Sequence, residues 1–157
     1  MSASDISVGL AVLTTALTLS PLIPTLAGND AALEGAVAMP WRLRRAAHLL
    51  VGSVLVAGLL VLPRVVGTDF GATAQIARNT AGLMGLAGLL TAVAGSALAW
   101  QAPVALAGLQ CFFVLPEGPA WRQTVLWLIQ PADNRIAAWT AAILLLIGLG
   151  AYARADA

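Results

Sequence analysis

RNTAGLMGLAGLLTAVAGSALAWQAPVALAGLQCFFVLPE, residues 78–117, holds 38 uncharged residues between Arg78 and Glu117. As one helix rising about 1.5 Å per residue it would run about 57 Å, nearly twice the roughly 30 Å of a bilayer's hydrocarbon. The stretch must therefore fold back. Gly95-Ser96 is the expected hinge, because Gly and Ser break helices more readily than the Leu/Ala runs around them. Trp100 and Gln101 then fall close to an interface.

Working outward, charged residues mark off three more apolar runs. There are 24 uncharged residues between Asp5 and Asp30, 18 between Arg45 and Arg64, and 18 between Arg135 and Arg154. A spanning helix needs roughly 17–25. The pattern predicts one transmembrane domain over 1–157, an all-α helical bundle of about five spans at 6–26, 46–66, 74–95, 97–115 and 136–154. Composition agrees: 60% of residues are hydrophobic and 10% charged, against about 45–50% and 25% in soluble domains. The mean hydropathy is +0.89. These are the properties of a multi-pass integral protein of the cell membrane.

Eight Arg, no Lys and seven Asp and Glu leave a net charge of +1, too balanced to form a basic face for nucleic acid. The single cysteine, Cys111, cannot form an internal disulfide. Residues 1–5 contain Asp5 and no basic residue, so the first span is expected to remain rather than act as a cleaved signal. No lipidation pattern is expected at either end. Pro21 and Pro24 remove backbone donors near the end of that span. They either terminate the helix or open a break that lines a cavity.

Two polar connections stand out. In 27–45, Asn29 or Asp30 can cap a short helix with Glu34 in its first turn, and Pro40 ends it before Trp41-Arg42-Leu43-Arg44-Arg45. Arginines clustered at the foot of a span are usually cytoplasmic anchors, which places this loop and the C-terminus inside and the N-terminus outside. The whole-chain tally is four Arg on each side, so the cluster alone decides. In 116–135, Pro116-Glu117-Gly118-Pro119 is a break, and the following ten or so uncharged residues are too few to span. Trp121, Val125 and Leu128 recur at helical spacing, which predicts an interfacial or re-entrant helix near 120–130.

The third span carries a stripe of small residues, including Gly82, Gly85, Gly88 and Ala92, that predicts close helix packing within the chain or with a partner. Few polar groups fall at membrane depth. Arg78 is expected to snorkel to the interface, or else to contact a translocation path or pair with Asp69; Asn79 follows it. Gln110 is expected to bond between helices. His48, one turn beyond the arginine cluster, suits an interface. With one His, no Lys and every carboxylate between spans, no catalytic residue, metal site or cofactor site is expected, and the chain is expected not to be an enzyme.

The runs Pro40-Trp41-Arg42-Leu43-Arg44-Arg45-Ala46-Ala47-His48, Ala77-Arg78-Asn79-Thr80-Ala81-Gly82, Ala99-Trp100-Gln101-Ala102-Pro103 and Trp127-Leu128-Ile129-Gln130-Pro131-Ala132-Asp133 resemble small actinobacterial ABC-transporter permease-type membrane subunits. The resemblance covers most of residues 30–153. It implies a subunit working with a separate ATPase. By the pattern of ABC-2 exporters, a coupling helix would lie in the 27–45 loop and a re-entrant element before the last span. Glu34, Trp41, Arg42, Arg44 and Arg45 are then the coupling candidates, and Arg78, Asn79 and Gln110 the intramembrane polar ones. The expected partners are the lipid bilayer and an ATPase or other membrane subunits, in a homo- or hetero-oligomer. A non-transporting accessory, assembly or immunity subunit is the alternative, and a membrane-embedded enzyme a third class.

Overall fold

A backbone in hydrocarbon must bond to itself, and Leu, Ala, Val and Gly offer no side-chain alternative, so segments of this composition become helices. The computed structural model describes residues 3–26, 41–67, 70–113 and 118–155. Among these residues the chain is helical, with no strand. The helices are α1 (Ala3–Leu19), α2 (Trp41–Val61), α3 (Thr73–Ala94), α4 (Ser96–Ala99), α5 (Gln101–Cys111), α6 (Ala120–Val125) and α7 (Arg135–Arg154). Two 3-10 turns, Ile23–Leu26 and Leu62–Val66, extend α1 and α2.

Three segments are long and apolar enough to cross a membrane: Trp41–Val66 with mean hydropathy 2.3, Thr73–Ala94 with 1.2 and Arg135–Arg154 with 2.0. Where the sequence predicts two further spans, at 6–26 and 97–115, the helices are shorter. The apolar part of α1 is Ile6–Leu19, and α5 has 11 residues. The helical part of the first span stops at Leu19, ahead of Pro21 and Pro24, and the chain continues as a single 3-10 turn. Conversely, α2 starts at Trp41 rather than near 46. Arginine is a good helix former, so a charge does not end a helix.

Hydroxyl groups on these helices bond along their own backbone. Thr15, Thr18, Ser53, Thr91 and Thr140 each donate to the carbonyl four residues earlier, at 2.8–2.9 Å, which removes an unpaired donor from the lipid. Gly67 ends the second 3-10 turn at φ +84° and returns its N–H to Arg64 O. Gly95 separates α3 from α4 with φ +82° and ψ 157°, a conformation that suits glycine.

The central helix is α3, with 56% of its apolar window buried against 28% for Trp41–Val66 and 22% for Arg135–Arg154. Its most extensive partner is α7. The small-residue stripe is used inside the chain. A Cβ on Gly148 of α7 would collide with the Gly85 carbonyl, and one on Gly85 would meet the backbone of Leu144 and Leu145. Gly82 lies under the Trp127 ring and against Ala141, while Gly88 faces Leu49 of α2 as well as Gly148. Ala92 is partly exposed. In lipid, where apolar burial provides little drive between helices, this approach gives van der Waals contact its full value.

Long-range bonds fix which helix ends share a side. At one end the Tyr152 hydroxyl donates to Leu26 O at 2.8 Å, the Arg45 guanidinium donates to Ala155 O, and Thr25 Oγ1 lies 3.4 Å from His48 Nε2. At the other, Cys111 Sγ donates to Gly9 O at 3.2 Å, and Arg64 donates to Gly71 O and Thr73 Oγ1. The helix α2 therefore runs opposite to α1 and α3, and α7 runs parallel to α3, with Gly82 beside Ala141 and Gly88 beside Gly148.

Candidate functional site

The polar centre of the molecule forms around a segment that is not helical. α6 ends at Val125, Leu126 has φ −98° and ψ 36°, and the chain passes through turns to Pro131. Leu126, Trp127 and Leu128 are nevertheless buried. Such a segment carries carbonyls that no helix satisfies, and at depth each needs a donor.

Arg78, Asn79 and Gln110 supply those donors. Arg78 is 8% exposed. Its Nη1 donates to Pro131 O at 2.7 Å, and its Nη2 to Gln130 O at 2.7 Å and Leu128 O at 3.4 Å. Its Nε donates to Asn79 Oδ1 at 3.1 Å, and Asn79 Nδ2 in turn donates to Leu128 O at 2.8 Å. From α5, Gln110 Nε2 donates to Val125 O at 2.8 Å while its Oε1 accepts from Leu128 N–H at 3.1 Å. Two helices thus hold one turn between them.

The turn is also tied to the start of α7. Asn134 caps that helix by accepting from Ala137 N–H at 2.9 Å, and its Nδ2 donates to Gln123 Oε1 at 2.9 Å and Gln130 Oε1 at 3.1 Å. The acceptors of Arg78 among the described residues are thus all neutral, so its charge is met by carbonyl dipoles. Thr80 Oγ1 and Gln130 Nε2 are buried in the same region with no hydrogen-bond partner among the described residues.

This corrects two expectations. Arg78 does not snorkel outward: its five-donor fork points into the bundle, because three adjacent carbonyls there match its geometry. The alternative pairing with Asp69 lies outside the described residues. Nor do Trp121, Val125 and Leu128 share a helix face. The helix ends before Leu128, leaving Trp121 68% and Val125 58% exposed while Leu128 is fully buried.

At the opposite end the arginine cluster divides into two roles. Arg45 bonds Ala155 O and stacks on the Tyr152 ring, 5.8 Å to its centroid. Arg44 lies 5.3 Å over the Trp41 ring, and both Arg42 and Arg44 are exposed. Glu34 and the short helix expected around it lie outside the described residues.

Gln123, Gln130, Asn134 and Tyr152 were not among the site candidates that the sequence offered; Gln123 and Gln130 read there only as the polar side of the 116–135 segment. The available signal was three amide side chains within twelve positions, Gln123, Gln130 and Asn134, around a proline in an otherwise apolar chain. Chemically, the arrangement holds backbone; among the described residues no group of three or more His, Cys, Asp or Glu is placed to hold a metal. Replacing Gln110 with Leu is expected to destabilise the protein by about 1–3 kcal/mol, since it leaves Val125 O and Leu128 N–H unpaired in the interior. Thermal unfolding in detergent checks this; an unchanged midpoint would show that the bonds contribute nothing.

The fold and site define a helical membrane protein built around a buried arginine clamp. Compared with protein-family models, with curated proteins and with solved structures, the chain matches none.

Proposed function

We propose that the protein is a multi-pass cell-membrane subunit of ABC-transporter permease type, worked by a separate ATPase that docks at the Trp41–Arg45 end of the bundle. The observation that carries this reading is the strap at that end. Arg45 bonds Ala155 and stacks on Tyr152, and Tyr152 bonds Leu26, so the ends of α1, α2 and α7 are tied together. Arg42 and Arg44 stay exposed on the same turn of α2. A push delivered there reaches three helices at once instead of bending one.

In this reading α1 and the α4–α5 pair complete five crossings, with the turn at Gly95. The Trp41–Arg45 end is cytoplasmic, the N-terminus outside and the C-terminus inside. Arginine suits the contact because its planar fork binds carboxylates bidentately. The competing role for the same side chains is to hold the helix end at anionic headgroups, at about 1 kcal/mol each.

Replacing Arg42 and Arg44 together with Lys separates the two roles, because Lys keeps the charge and loses the fork. Arg45 is left intact, since its strap is structural. The expected result is loss of ATPase co-purification from mild detergent with the melting temperature unchanged. Undiminished co-purification and transport would leave membrane anchoring as the sole role of these residues.

The second reading, a non-transporting accessory, assembly or immunity subunit, is favoured by one observation. The donors of Arg78, Asn79 and Gln110 are directed at the chain's own backbone, which supports the bundle rather than lining a path. A pull-down that recovers a large membrane complex without any ATPase selects this reading.

A further inference from the structure

Between α5 and α6 runs a groove of about 390 Å³, within the roughly 300–1,000 Å³ of small-molecule sites. Leu106, Leu109 and Phe113 form one wall, and Val125 and Leu126 the other. Its floor is Gln110, which is 1% exposed and has both ends of its amide bonded to Val125 O and Leu128 N–H. The floor therefore asks nothing polar of an occupant. Trp121 and Arg122 complete the lining from α6, the former 68% exposed. Among the described residues, no hydrogen bond or ion pair uses the Arg122 guanidinium.

We infer that this groove binds one acyl chain of an anionic phospholipid, with Arg122 at its mouth holding the headgroup phosphate. The apolar walls and satisfied floor accept a hydrocarbon chain without leaving any polar group unpaired. An exposed indole next to the mouth belongs at the level of the headgroups. A guanidinium there meets a phosphate with two parallel hydrogen bonds, and a zwitterionic headgroup masks that phosphate with its own cation. The complementarity is thus of both shape and charge, and it selects a lipid by its headgroup. It does not depend on the ATPase-coupled reading of the opposite end.

The test uses the full chain in phosphatidylcholine nanodiscs containing a lipid with a photoreactive acyl chain. The probe carries either a phosphatidylglycerol or a phosphatidylcholine headgroup, and crosslinks are mapped by mass spectrometry. The phosphatidylglycerol probe is expected to label residues 106–113 and 121–126 about fivefold more than the phosphatidylcholine probe, the factor that one arginine contributes at an anionic surface. Arg122→Gln should equalise the two probes, and Val125→Trp should suppress both by filling the groove. Both positions lie at least partly on the surface, so melting temperatures should match the wild type; if V125W melts lower, Leu109→Trp on the facing wall replaces it. Equal labelling of the wild type by both probes, or a glycerol-headgroup preference that survives R122Q, overturns the proposal. So does labelling untouched by filling the groove, displacement of the probe by an equimolar free fatty acid, or crosslinks to a second copy of the chain in place of lipid.

Discussion

Arg78→Leu is expected to lower the stability of the detergent-solubilised protein by about 2–4 kcal/mol. Two carbonyls, Gln130 O and Pro131 O, lose their Arg78 donor, at about 1–3 kcal/mol each. Leu128 O keeps the Asn79 bond, and the cost of burying a guanidinium disappears, which offsets part of the loss. On the scale of proteins this size the melting temperature should fall by roughly 5–15 °C. Arg78→Lys should lie between the two, because an ammonium keeps the charge but cannot span three carbonyls in one plane. The lone Cys111, adjacent to Gln110 and bonded to Gly9 O, supplies a second readout. Its reaction with a thiol dye should begin at lower temperature in R78L. An R78L variant that melts with the wild type would mean the turn at 126–131 is held by its apolar side chains alone.

Gly148→Val is expected to be at least as damaging. Even a Cβ at this position overlaps the Gly85 carbonyl, and backbone cannot rotate away as a side chain can. Overpacking of tight cores commonly costs about 1–3 kcal/mol and more where backbone must move, so a loss of about 3 kcal/mol or more is expected. Gly58→Ala is the matched control. Nothing lies within 4 Å of a Cβ at Gly58 on α2, and relief of glycine's backbone entropy should leave stability unchanged or raise it by about 0.5–1 kcal/mol. Thermal unfolding of both variants decides the matter: equal melting of G148V and wild type would mean that α3 and α7 do not cross at these residues.

The contrast between these two glycines shows what the sequence could convey. Gly88 and Ala92, four residues apart, announce close packing, but Gly148 and Gly58 look alike in one dimension, each with large side chains four residues away, and only Gly148 meets a neighbouring backbone. Only the partner's position distinguishes them. The break at Gly95 and the end of α1 before Pro21 were legible, because local backbone chemistry decides them. The start of α2 was not, since charge delimits hydropathy and not helix.

The inward turn at 126–131 escaped for a different reason. In water, Trp127-Leu128-Ile129 would have to be buried. In lipid, an apolar residue is equally at ease facing the bilayer or the bundle, so hydropathy loses its power to say which. What marks the turn is polar: Gln110, Gln130 and Asn134 are amides that lipid would penalise, and all three bond the turn or belong to it. Arg78 was legible as an intramembrane cation and misread in direction, because its acceptors are carbonyls, which every residue carries and no sequence displays.

The bonds that close this bundle are also a schedule for its synthesis. Arg78 emerges from the ribosome some fifty residues before the carbonyls that receive its fork. Leu26 precedes Tyr152 by 126 residues, and Arg45 precedes Ala155 by 110. At roughly 5–20 residues per second, the guanidinium spends several seconds in the nascent chain without its final partners. During that interval the guanidinium must be met by water or headgroups, because a bare cation in hydrocarbon is costly. The arrival of α7 brings the Asn134 cap, Gly148 and Tyr152 together, so both ends of the bundle lock on insertion of the same helix. Closure of the bundle therefore waits on its last helix, whose residues supply partners at both ends.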